Sequence, residues 1–224
     1  MTDQPAFQLI LLPGLGADHR LFEPQRAAFP GLLVPPWLVP KRKERLADYA
    51  ARMAETIVPT RPMVLGGSSF GGMVAYEMAR YLRPEAVVLM GSCRSPQALH
   101  PVARGLRPIV PLVAVQVFDL AKWLSPLGLR MISSFTPQQR ALCVAMFKEM
   151  DSGLMKWACR AVLDWEPSGP PPARVLQIHG EKDHMMPAGL AEADEVIPGG
   201  GHLINLTHPE PVNAFIMRVV ESVR

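Results

Sequence analysis

The sequence predicts an α/β protein, a mostly parallel sheet flanked by helices, and two observations predict it. Short apolar runs rich in Leu, Ile and Val alternate with segments whose apolar residues recur at helical spacing, up to about residue 93 and again after residue 172. Such alternation is βαβ grammar, in which parallel strands are joined by right-handed crossovers. The composition supplies the core: of 224 residues, 49% are hydrophobic and 19% charged, ordinary values for one globular domain with an elaborated insertion.

Phe7 to Leu12 is an apolar run stopped by Pro13-Gly14, as expected for a strand buried on both faces and ended by a tight turn. Leu32 to Val39 is a second strand candidate, interrupted by Pro35 and Pro36. From Leu46 to Val58 the residues Leu46, Tyr49, Ala50, Met53 and Ile57 fall on one helical face. Met63 to Gly66 reads as a strand, Gly71 to Tyr81 as a helix, and Ala86 to Met90 as a strand with β-branched residues. Between about Arg94 and Pro172 the grammar breaks into helical patches, with Pro96, Pro101, Pro108, Pro111, Pro126 and Pro137 and the methionines Met131, Met146, Met150 and Met155. After Pro170-Pro171-Pro172 it resumes with strands at Arg174 to Ile178 and Glu195 to Ile197 and a closing helix from Pro209 to Val223. The chain therefore divides into a core of residues 1–93 and 173–224 and a helical insertion of residues 94–172.

Several function classes are excluded at this level. Basic residues exceed acidic ones by only three. The one dense basic run, Lys41-Arg42-Lys43-Glu44-Arg45, is broken by an acid and opens an amphipathic segment, so it reads as a solvated helix start and no nucleic-acid partner is expected. Cys93, Cys143 and Cys159 are odd in number and lack C-x-x-C spacing, which points away from a disulfide framework or thiolate zinc site and toward a reducing, cytoplasmic compartment. The N-terminus, Met1 to Pro5, has no basic n-region. The greasiest stretch, Ile109 to Phe118, contains Pro111 and Gln116 and is far shorter than the roughly 18 residues a span needs, so a soluble protein is expected.

Chemistry is carried by Gly67-Ser68-Ser69-Phe70-Gly71, a G-x-S-x-G motif between a predicted strand and a predicted helix. A serine on so sharp a turn needs small neighbours two residues away on each side, and Gly67 and Gly71 meet that need. The following helix aims its N–H groups and positive dipole end at any oxyanion formed there. Serine is a poor nucleophile at neutral pH, so Ser69 requires a general base and an orienting carboxylate. Asp183 follows the strand at 174–178 on the carboxyl edge of the sheet, and His202 follows the glycine run Gly199-Gly200-Gly201 before the last helix. Asp164 and Asp194 are alternative acids, but neither follows a strong strand as directly.

With Ser69, Asp183 and His202 in that chain order, the sequence resembles the α/β-hydrolase superfamily, of the small capped esterase and thioesterase type. The resemblance covers nearly the whole chain apart from the insertion. It implies that Leu12-Pro13-Gly14-Leu15-Gly16 is the oxyanion loop, with Pro13 where many relatives have histidine, and that the N–H groups of Leu15 and Phe70 bind the developing oxyanion. Only six residues precede Phe7, too few for the family's opening hairpin, so a trimmed sheet of about six strands is expected. The resemblance also implies that the insertion is a lid whose methionines and leucines line an acyl pocket.

Rival readings are weaker. Gly14-Leu15-Gly16-Ala17-Asp18-His19 resembles the start of a dinucleotide fingerprint, but His19 holds the third glycine position and no acid ends the second strand near Trp37. His179-x-Glu181-x-Asp183-His184 resembles the metal-ligand run of metallo-β-lactamase-fold proteins, yet Glu181 replaces a histidine and only about 40 residues follow. His184 then reads as a loop residue near the site, and Cys93 as a semi-buried thiol. The expected function is cofactor-free, metal-free hydrolysis of a small-molecule carboxylic ester. The alternatives are an acyl thioesterase, whose carrier or CoA phosphates would meet Arg94, Arg104, Arg107, Lys122 and Arg130, and a non-catalytic ligand-binding protein of the same fold.

Overall fold

Five of the apolar runs form strands in the computed structural model, which describes residues 7–59, 62–128 and 132–223. They are β1 (Gln8–Leu12), β2 (Met63–Ser68), β3 (Ala86–Met90), β4 (Arg174–Gly180) and β5 (Glu195–Ile197), all parallel and in the spatial order β1-β2-β3-β4-β5. Every residue of β1, β2 and β3 is buried, which is why these strands read as continuous rather than alternating apolar runs.

The helices are α1 (Glu23–Ala28), α2 (Leu46–Glu55), α3 (Phe70–Leu82), α4 (Pro101–Gly105), α5 (Val115–Gly128), α6 (Pro137–Glu149), α7 (Ser152–Leu163), α8 (Ala188–Ala191), α9 (Ile204–Thr207) and α10 (Pro209–Ser222). Strand periodicity divides the core in two. Ile10, Leu12, Leu65, Val87 and Leu89 point to the face covered by α2 and α3, while Leu9, Leu11, Val64, Val88 and Met90 point to the face covered by α10. Helices α4 to α7 all lie in the connection from β3 to β4. Thr136 and Gln139 form a reciprocal capping box that starts α6, and Asp151 caps α7. Arg130 and Met131, singled out in the sequence, lie outside the described residues.

Two expectations are corrected. Among the described residues the sheet has five strands, not about six, because the Leu32–Val39 candidate contributes only a single parallel bridge between Leu33 and Ile10. Leu33 exchanges hydrogen bonds with Leu9 and Leu11, but Pro35 and Pro36 have no N–H to extend the ladder. In the basic run, Glu44 is not solvated: its side chain is 4% exposed, accepting from Arg52 Nε at 2.7 Å and from the Lys41 amide at 2.6 Å.

The Leu33 bridge also locates the site. Leu33 lies on the side of β1 away from β2, so the chain leaves β1 in one direction and returns across it to β2. Strand order thus reverses between β1 and β2, and in open α/β sheets the ligand crevice forms beyond the carboxyl ends at such a switch point.

Candidate active site

At that crevice β2 runs into α3 through Ser69, whose backbone sits at φ 51°, ψ −123°. A non-glycine residue there is strained and persists only because its surroundings over-determine it. The surroundings are close backbone. A Cβ added to Gly71 would lie 2.2 Å from the carbonyl oxygens of Leu12 and Pro13, and one on Gly67 would lie 2.4 Å from the Gly71 carbonyl carbon. Two hydrogen bonds fix the turn from outside: the Ser69 amide donates to Met90 O at 3.0 Å, and Ser92 Oγ donates to Ser69 O at 2.7 Å. Because the obstruction at Gly71 is backbone, which cannot rotate away, Gly71→Ala should destabilise the fold by about 3 kcal/mol and abolish any activity of the site. A denaturant melt in which the midpoint barely moves would show that the turn relaxes.

Ser69, His202 and Asp183 meet above this turn. His202 Nε2 lies 2.8 Å from Ser69 Oγ, and His202 Nδ1 lies 2.8 Å from Asp183 Oδ2. All three are buried, with Ser69 the most exposed at 9%. Asp183 Oδ1 accepts the Met185 and Met186 amides, each at 2.9 Å, so the carboxylate is held at both oxygens. Burial pushes the Asp183 carboxyl upward, but the charge and hydrogen bond of His202, the Met186 amide and nearby His179 together hold it below the ordinary aspartate value. His202 is anchored by its amide donating to Ile132 O at 2.9 Å, and Ser133 Oγ accepts the next amide, Leu203, at 3.0 Å.

Leu15 and Phe70, the expected amide donors, line the same cavity as Ser69 and His202. The cavity encloses about 790 Å³, within the range of small-molecule sites. Its walls include Leu99, Leu106, Met146, Phe147, Val162 and Leu163, and none of the described lining residues is Lys, Arg, Asp or Glu. His184 is exposed and also lines it.

The remaining candidates fall elsewhere. Asp164 pairs with Arg107 and Arg160, while Asp194 pairs with Arg94 and accepts the Gln177 amide. Cys93 is fully buried rather than semi-buried, and burial pushes its thiol up to about 12, too high for a nucleophile. Glu181 is exposed and accepts the Gly199 amide, and His179 is buried with its Nε2 2.7 Å from Ser92 O. Burial, outweighing nearby Asp183, depresses His179 below its ordinary value. Among the described residues no three His, Cys, Asp or Glu side chains are grouped to hold a metal, and no helix is long and apolar enough to cross a membrane.

Sequence reasoning missed the residues that support this geometry. Ser92 braces the Ser69 carbonyl, and buried Asn205 accepts from Ser68 Oγ at 3.2 Å while donating to Leu21 O. Ser133 supports the segment bearing His202. A lone serine or asparagine carries no signal without its partner, although Ser92, like Asp183, follows a strand at the carboxyl edge.

A family model described as the alpha/beta hydrolase family matches residues 6–215. The chain belongs to the alpha/beta hydrolase family. Among solved structures it is similar to a thermophilic esterase from Thermogutta terrifontis with malate bound, at 18% identity over 97% of this chain and 90% of that one, with a TM-score of 0.75. It is similar to MenH from S. aureus at 13% identity over 99% and 96%, TM-score 0.75. It also resembles the enol-lactonase from Burkholderia xenovorans LB400 at 16% identity over 99% and 94%, TM-score 0.74. At these identities the likeness shows a shared hydrolase fold. No curated protein matches by sequence.

Proposed function

We propose that this hydrolase cleaves carboxylic esters of neutral, apolar acyl groups through an acyl-enzyme on Ser69. The observation that carries the reading is the hydrogen-bonded series Ser69 Oγ, His202, Asp183 opening onto an apolar cavity. Ser69 Oγ attacks the ester carbonyl as His202 Nε2 takes its proton. The oxyanion so formed is held by the amides of Leu15 and Phe70, and it collapses with expulsion of the alcohol, protonated by His202. Water, deprotonated by His202, then attacks the acyl-enzyme, and as the acid leaves His202 returns that proton to Ser69 Oγ. Asp183 orients the imidazole and stabilises its charged form throughout. No step calls for a metal or organic cofactor.

In this reading residues 94–172 form a lid that supplies the acyl-facing wall. Arg94 and Arg107 are engaged by Asp194 and Asp164, and none of the four described basic residues proposed to meet a carrier lines the cavity. That favours an ester without phosphate groups over a carrier thioester. The esterase and enol-lactonase names of two similar structures agree with acyl–oxygen cleavage. Three unpaired thiols fit a reducing, cytoplasmic setting.

The test is a rate comparison on aryl esters and acyl-CoA thioesters of graded chain length, with Ser69→Ala as the blank. Each added methylene buried is worth about 0.8 kcal/mol, so kcat/KM on esters should climb about fourfold per carbon until the cavity is full. A preference for thioesters would make the chain a thioesterase. A folded protein inert toward every acyl compound would be a ligand-binding member of the family.

A further inference from the structure

The segment proposed to carry an oxyanion donor is a tight turn. Gly14 O accepts the Ala17 amide at 3.1 Å, and Gly16 sits at φ 79°, the value a type II turn requires at its third residue. Since the Gly14–Leu15 peptide is trans, turning its carbonyl toward Ala17 turns the Leu15 N–H the opposite way. Gly14 itself rests against the nucleophile, where an added Cβ would lie 3.4 Å from Ser69 Cβ. What separates type II from the commoner type I is the orientation of the central peptide, Leu15–Gly16. That peptide is held from outside the turn. The Gly16 amide donates to Met150 Sδ at 3.0 Å, and a Cβ on Gly16 would lie 2.3 Å from the Phe147 ring.

Met150 occupies a rigid corner. Its amide donates to Met146 O at the end of α6, its carbonyl accepts from Lys122 Nζ on α5, and the next residue caps α7. Arg20 adds a second tie, bridging Asp18 beyond the turn to Glu149 on α6. The turn after β1 is therefore referenced to the helices between β3 and β4 as well as to the sheet.

We propose that Met150 is a positioning residue for the oxyanion turn: its thioether accepts the Gly16 amide, excludes the alternative turn, and so keeps the Leu15 N–H preorganised beside Ser69. The proposal rests on Leu15 serving as an oxyanion donor in ester hydrolysis. Its consequence is that the placement of α6 and α7 affects kcat and not substrate binding alone.

Two variants separate this from packing. Met150→Leu preserves apolar volume and removes the acceptor, whereas Met150→Gln offers an amide oxygen at similar reach but is polar. Acceptor function predicts kcat on p-nitrophenyl hexanoate reduced about tenfold by Leu with KM little changed, and held within about threefold by Gln. A packing role predicts the opposite order, and that order, or a Leu variant with unaltered kcat, would overturn the proposal. A readout independent of turnover is amide exchange by NMR, in which Gly16 should exchange about tenfold faster in Met150→Leu. Selenomethionine labelling of the unaltered chain covers the case in which a variant fails to fold: the Gly16 amide resonance should move, and an unmoved resonance overturns the contact. If the protein hydrolyses no ester, the functional reading fails while the exchange and labelling results still report on Met150.

Discussion

Ser69→Ala should remove ester turnover, with kcat lowered by about 10⁴- to 10⁶-fold, while the melting temperature should shift by no more than about 4 °C. The size of the first effect follows from the proposed mechanism, in which the variant lacks the atom that forms the acyl bond and keeps only the proposed oxyanion donors and binding. The smallness of the second follows from the local geometry. Alanine keeps the Cβ and therefore the same strained backbone at φ 51°, and the bonds that hold the turn, Ser69 N to Met90 O and Ser92 Oγ to Ser69 O, involve only the main chain of residue 69. Only the hydrogen bond to His202 Nε2 is lost, worth about 1 kcal/mol, and His202 keeps Asp183. Ser69→Gly should be equally inactive yet melt higher than the alanine variant, because glycine relieves the positive φ. Parallel thermal melts and hydrolysis of p-nitrophenyl hexanoate check both statements, and turnover surviving in the alanine variant would place the nucleophile elsewhere.

Asp183→Asn should lower kcat by about 10⁴-fold, the cost seen where a serine hydrolase loses its orienting carboxylate to an amide. The surroundings of Asp183 explain why asparagine cannot adapt. One oxygen faces His202 Nδ1 and the other takes two backbone amides. If the asparagine NH₂ turns toward His202, Nδ1 must accept, the proton moves to Nε2, and the imidazole can no longer take one from Ser69. If the NH₂ turns the other way, it confronts the Met185 and Met186 N–H groups. Stability should change with a definite sign. Burial raises the Asp183 carboxyl, but His202 and the Met186 amide outweigh it and leave the folded value depressed. Its contribution is therefore present above the unfolded aspartate value of about 4 and is lost as pH falls through the lower folded value. Melting curves of the two proteins should lie apart near neutrality and converge in acid; a constant gap would mean that the carboxylate makes no charge-dependent contribution to folding.

Much of the site was legible because its signals are local. Gly67, Ser69 and Gly71 lie within five residues, and the strand and helix that flank them announce themselves by periodicity. Asp183 was legible through a second kind of order, the rule that α/β sites gather beyond strand carboxyl ends, and His202 through the glycine run that precedes it ahead of the closing helix. Supports whose partners are remote were not legible: Ser92 lies 23 positions from Ser69, Asn205 lies 137 from Ser68, and Met150 lies 134 from Gly16.

The chain by itself determined the βαβ core, the glycine-flanked turn that carries Ser69 and the order of the three polar residues, because backbone sterics and side-chain periodicity act between near neighbours. Only the tertiary structure decided that the Leu32–Val39 run shrinks to one bridge, that the described basic residues between β3 and β4 stay off the cavity wall, and that α6 grips the turn after β1. Those outcomes depend on which groups meet when distant segments close over one another, and a ladder bond, an ion pair or a thioether contact has no expression in sequence until both partners are in place.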